Sequence, residues 1–226
     1  FFIYCAVAAG MQIAATALMV NLFQQKNYAI GVGLAKSEAI VAALIGSVLL
    51  ADQFSLYGWL GIVIGTVAVF LLSGGFKLKQ ISWQSLWIGL GSGFCFAVTS
   101  LLVREASLEL TDLPTIYRAA WVLLAVLTVQ SIGLSIWLAM KEPQTIVAMK
   151  REWKLVASVS LASFTASWGW FNAMALVSVA LVKTLGQVEV LFTLLISWLL
   201  LREKLKATEI MGLLLIVIGA ILVIWA

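Results

Sequence analysis

The chain is a succession of apolar runs, each about 20 residues long, separated by polar turns. An α-helix rises about 1.5 Å per residue, so such a run matches the ~30 Å of hydrocarbon in a bilayer. A soluble domain of 226 residues could not hide this surface around one core, because 63% of the residues are hydrophobic and only 11% are charged. Lipid is the solvent that permits such a composition. The fold class expected is therefore an all-α polytopic membrane protein.

Eight spans can be placed. They run about Phe1–Phe23, Tyr28–Leu50, Leu56–Ser73, Trp83–Val103, Thr115–Met140, Leu155–Val177, Val179–Leu201 and Ala207–Trp225. Only Ser178 separates the sixth from the seventh, and a continuous helix there would overshoot any bilayer. The longest loop is Lys141 to Lys154, where Pro143 is placed to open a short surface helix and Trp153 to anchor it at the interface. Nothing resembles a secretory signal peptide.

Sliding residues 21–61 onto 172–212, an offset of 151, pairs Asn21 with Asn172, Leu34 with Leu185, Glu38 with Glu189, and Gly61 with Gly212. Leu matches are cheap in so apolar a chain, whereas a paired Asn and a paired intramembrane Glu are not. Spans one to three thus map onto six to eight, while four and five have no upstream counterpart. Residues 1–75 are expected to be the last three helices of a first repeat, and 83–226 a complete second one. Eight visible helices of a ten-helix, five-plus-five transporter follow, with two helices expected upstream of Phe1. An odd number of helices per half inverts the second half relative to the first. The loops after spans one, three, five and seven hold ten basic residues, against Arg104 and Arg118 on the other side, which assigns the first group to the cytoplasm.

The stretch Gly186-Gln187-Val188-Glu189 through Leu201-Arg202-Glu203-Lys204-Leu205, followed by Gly212, resembles the ninth and tenth helices of EamA-type permeases of the drug/metabolite transporter superfamily. Lys36-Ser37-Glu38 through Leu50-Ala51-Asp52, then Gly61, are the first-half counterparts. Members of that family usually carry Gly-Glu where this chain has Ala51-Asp52 and Arg202-Glu203, so acidity is kept and glycine is not. The resemblance implies a ten-helix permease with a central cavity and alternating access, and outward export as the direction. It names no substrate.

Glu38 and Glu189 each lie about ten residues into their spans. A carboxylate at that depth costs on the order of 2.5–3.5 kcal/mol on insertion scales, so it is usually placed for function. One or both are expected to bind a proton or a cationic substrate group; the competing reading is a structural carboxylate tied to a neighbour. Lys183 and Gln187, four residues apart, stack on one face of a continuous helix, beside a stripe of Glu189, Thr193 and Ser197. That face needs a cavity or other helices, although Lys183 could also snorkel to the interface. Lys36 points away from Glu38 and is expected to meet a carboxylate on another helix. Gly31, Ala35, Ala39, Ala42 and Gly46 form a seam for close packing. Asn172 and Trp168 share a face that could line a cavity, with capping and packing as the alternatives. Arg118 either recognises an anionic group or pairs with Asp112 at the interface.

A chain without histidine lacks most zinc sites and every Ser–His or Cys–His arrangement, and Cys5 and Cys95 read as small hydrophobes rather than a redox pair. No cofactor is called for. Nor does the net charge of +4 indicate nucleic acid, because the basic residues are scattered through short loops. The function expected is secondary transport of small organic metabolites or drugs across a bacterial-type inner membrane, with protons as candidate coupling ions. The partners are a small-molecule substrate and the bilayer, and oligomeric state is open. A facilitative permease or channel without coupling is the alternative; a membrane-embedded enzyme has no metal cluster or nucleophile–base pair to rest on.

Overall fold

A computed structural model describes residues 1–24, 34–72, 82–192 and 207–226. Among these residues the chain is helical: α1 (Phe2–Gln24), α2 (Glu38–Leu49), α3 (Leu56–Leu72), α4 (Trp83–Leu108), α5 (Thr115–Lys141), α6 (Pro143–Arg151), α7 (Trp153–Leu176), α8 (Val179–Gly186) and α9 (Ala207–Ile224). Residues 2–22, 83–108 and 115–141 are long and apolar enough to cross a membrane, whereas Glu38–Leu49, Leu56–Leu72 and Ile210–Ile224 are shorter apolar helices. The surface helix expected at Pro143 is α6, with the proline in its first turn, where a missing N–H costs nothing. The expected end of the fourth span at Val103 is too early. Arg104 and Glu105 extend the helix to Leu108, because charged side chains alone do not interrupt backbone bonding.

The helices fall into two compact units. One comprises Phe1–Ile13 and Leu102–Leu176. Within it, Val122, Leu123 and Val126 of α5 are buried with Val103 and Ala106 of α4. The Gln130 amide donates to Gln12 Oε1 at 2.9 Å, a polar tie between α5 and α1.

The other unit comprises Ala14–Leu101 and Val177–Ala226, and its centre is the crossing of α3 and α9. A β-carbon on Gly61 would lie 2.8 Å from the Gly219 carbonyl oxygen and 2.7 Å from Val223 Cγ2. Only glycine lets these two backbones meet, which is how helices gain van der Waals contact in lipid. Ala68, Val69 and Ile216 continue the contact, packed on by Leu72, Val188 and Leu191. In α2, Ala39, Ala42 and Gly46 are buried along the small-residue seam. Helical hydroxyls such as Thr66, Thr99 and Thr184 donate to the carbonyl four residues back.

α2 closes in a specific way. Ala51 adopts φ +55°, and the turn brings the Asp52 N–H to the Gly46 carbonyl at 3.0 Å. That conformation favours glycine, the residue usual at this point in the family that the sequence resembles.

Candidate substrate and coupling site

Spans two and seven, expected as continuous helices, are both interrupted in mid-course. Leu34 and Ala35 are helical, Lys36 and Ser37 form a turn, and α2 starts afresh at Glu38. In the seventh span α8 stops at Gly186, Gln187 and Val188 form a turn, and helix resumes at Glu189. The same backbone bond marks both interruptions. Ser37 N–H donates to the Leu34 carbonyl, and Val188 N–H donates to the Leu185 carbonyl, each at 3.1 Å. The second pair of residues lies 151 positions after the first. Further three-residue bonds, Gln187 to Thr184 at 3.2 Å and Val190 to Gln187 at 3.0 Å, tighten the second turn. Such a 3₁₀ stretch inside a helix often marks a hinge.

Each interruption is seated against a glycine of a neighbouring helix. A β-carbon on Gly93 of α4 would fall 2.6 Å from Ser37 Oγ and 3.0 Å from the Ala35 carbonyl oxygen. One on Gly65 of α3 would fall 2.5 Å from Gln187 Oε1 and 3.1 Å from Thr184 Cγ2. The unwound backbone therefore occupies space that a side chain on either neighbour would take.

The interruptions place four charges. Glu38 and Glu189 begin the resumed helical segments, where the positive end of the helix dipole favours a carboxylate. Lys183 lies in the last turn of α8, at the negative end. The charges then pair between the two interrupted segments. Lys183 Nζ is 3.1 Å from Glu38 Oε2, and Lys36 Nζ bonds Glu189 Oε1. The carboxylate at each interruption holds the lysine of the other. The two pairs differ in exposure: Lys183 and Glu38 are 13% and 12% exposed, Lys36 and Glu189 23% and 50%. One is enclosed; the other is open on its acidic side.

The remaining sequence candidates resolve differently. Lys36 meets a carboxylate on another helix, as its placement suggested. Lys183 does not snorkel, because Glu38 holds it. Gln187 is only 2% exposed, and neither atom of its amide has a hydrogen-bond partner among the described residues. The turn at 187–188 also takes Gln187 and Lys183 off one continuous helical face. Thr193 and Ser197 lie outside the described residues, as do Gly31 and the Arg202-Glu203-Lys204 turn.

In the other unit, Asn172 Nδ2 donates to the Trp168 carbonyl at 2.8 Å, which is local backbone bonding. The Trp168 indole N–H is buried without a hydrogen-bond partner among the described residues. Arg118 departs from the expected pairing with Asp112. Its guanidinium donates to the carbonyl oxygens of Leu113 at 2.5 Å and Thr111 at 2.7 Å. One turn into α5, it reaches back past Pro114 to carbonyls of the preceding loop, which its planar fork can bridge.

The interruptions leave little trace in the sequence. Their local traces are Gly186, a residue that commonly follows a helix end, and Ser37, which has the identity of a helix cap although its hydroxyl makes no capping bond.

A family model of EamA-like transporters matches residues 83–225, more than half of the chain. The chain belongs to the EamA-like transporter family. It is thus an integral membrane protein of a transporter type, consistent with its long apolar helices. A solved crystal structure of a protein covers 99% of this chain and 88% of its own, with a TM-score of 0.68 at 14% identity, which shows a shared fold alone. No curated protein sequence matches the chain.

Proposed function

We propose that this EamA-like protein is a secondary transporter that exports small polar or amphipathic organic metabolites from a bacterial-type cytoplasm by alternating access. The observation that carries the reading is the reciprocal pairing of Lys183 with Glu38 and Lys36 with Glu189 at two equivalent helix interruptions. Buried ion pairs are poor devices for stability, because desolvation offsets most of their attraction. They suit a switch, since a solute or proton that takes one partner releases the other. Interrupted helices at bilayer depth commonly form transporter sites, where exposed helix ends meet charged groups.

In this reading the two halves are five-helix inverted repeats, and the pairs lie on the interface about which they rock. The open pair is the entry point: a solute ammonium or a proton reaches Glu189 first, and frees Lys36 for an anionic or carbonyl group. The enclosed Lys183–Glu38 pair acts as the lock that must part before the conformation changes. Gln187 adds a donor and an acceptor beside Gly65 that a solute could use. Trp168, Asn172 and Arg118 are positioning residues at most.

Uptake of a metabolite panel into proteoliposomes, with and without a pH gradient, tests the proposal. At least one organic solute should show saturable flux, and its dependence on the gradient decides between coupled and facilitative transport. Flux of every solute at the rate of protein-free liposomes would overturn it.

A further inference from the structure

The surface helix α6 is not explained by transport, and it borders a groove of its own. The groove has a volume of about 480 Å³ and lies between the end of α5, α6 and the start of α7. Leu138, Ile146, Met149 and Val156 make it apolar, and Lys150 and Trp153 are among its lining residues. That volume falls within the ~300–1,000 Å³ typical of small-molecule sites. No residue of α6 is buried, and its last turn carries Lys150 and Arg151. Lys141 closes α5 nearby, and Lys154 Nζ stands 5.9 Å from the centre of the Trp153 ring. Four basic residues thus face two acidic ones, Glu142 and Glu152, over residues 141–154, and Glu152 lies 4.0 Å from Arg151.

We propose that this groove is a binding site for an anionic glycerophospholipid, one acyl chain lying against Ile146 and Met149 and the phosphate held by Lys150 and Lys154. The chemistry is complementary at both ends. An apolar trough at the margin of membrane-spanning helices suits an alkyl chain, and the indole of Trp153 belongs at headgroup level. Lysines there keep their stems on the apolar wall and their charges at the phosphate. A zwitterionic headgroup offers them no net charge. Each Lys or Arg beside an anionic lipid surface contributes ~1 kcal/mol, or about fivefold in affinity. The bound lipid would tie α6 to the ends of α5 and α7.

The test uses the full chain, delipidated in detergent, with retained lipid counted by native mass spectrometry. Phosphatidylglycerol should be retained over phosphatidylcholine, and inorganic phosphate should not displace it. Lys150→Gln with Lys154→Gln should abolish the preference. Met149→Trp, which fills the groove and spares the charges, should lower phosphatidylglycerol retention at an unchanged melting temperature. A photoactivatable phosphatidylglycerol on the wild-type chain provides a measurement independent of any variant, and should label residues 138–157. Equal retention of the two lipids, full displacement by phosphate, retention in both variants, or labelling confined to other helices would each overturn the proposal.

Discussion

The unequal enclosure of the two ion pairs gives unequal costs for breaking them. Lys183 and Glu38 are both close to nine-tenths enclosed, so Glu38→Gln takes from the Lys183 ammonium the carboxylate that stands 3.1 Å from it. Removing one partner of a buried pair costs roughly 3–5 kcal/mol. The Lys36–Glu189 pair is half-open on its carboxylate side, and an exposed pair contributes only about 0–1 kcal/mol. A chain of this length shifts its midpoint by roughly 2–4 °C per kcal/mol. Glu38→Gln should therefore lower the melting temperature of the purified protein by about 6–20 °C, and Glu189→Gln by no more than about 4 °C. Adding Lys183→Met to Glu38→Gln removes that ammonium and should recover most of the loss, because apolar replacement of a buried pair is often neutral. Thermal unfolding followed by intrinsic tryptophan fluorescence, in one detergent, measures all four proteins. Equal melting temperatures for the two single variants, or a double variant no more stable than Glu38→Gln, would refute the assignment of the enclosed pair.

Further outcomes follow from the backbone. Ala51→Gly should stabilise the protein by about 1 kcal/mol, because φ +55° costs an L-residue roughly 1–2 kcal/mol and glycine gives part of that back in entropy; an equal or lower melting temperature would contradict it. Gly61→Ala should cost about 1–3 kcal/mol, since its β-carbon meets the Gly219 carbonyl, whereas Gly133→Ala, with open space around it, should be neutral or stabilising by up to ~1 kcal/mol. Arg118→Met should cost roughly 1.5–3 kcal/mol by releasing the carbonyls of Thr111 and Leu113, and Asp112→Asn should cost less than about 1 kcal/mol; the reverse order would favour the Asp112 pairing.

Hydropathy and turn residues made much of the architecture legible. The boundaries expected at Leu56, Trp83, Thr115 and Ala207 agree with the helix starts, and Pro143 opens α6. Lys36 does meet a distant carboxylate, although it lies in the turn at 36–37 and not on the continuous helix from which that meeting was inferred. The interruptions were not readable. Apolar periodicity reports side chains, whereas the turns at 36–37 and 187–188 depend on room left in neighbouring helices by Gly93 and Gly65. On a continuous helix Lys183 and Gln187 share a polar face that needs a cavity or other helices, and Lys183 has snorkelling to the interface as an alternative. Both readings of Arg118, an anionic group or Asp112, rest on side-chain charge, which is visible in sequence, whereas the direction of two loop carbonyls is not.

On the proposed function, these ion pairs work in transport rather than in holding the fold. Flux of one accepted solute into proteoliposomes by the Glu38→Gln/Lys183→Met protein, at reconstitution and melting temperature matched to wild type, tests it most directly. Flux should fall to the background of protein-free liposomes although the helices remain packed. Wild-type flux with unchanged KM would contradict it and leave the pairs as structure.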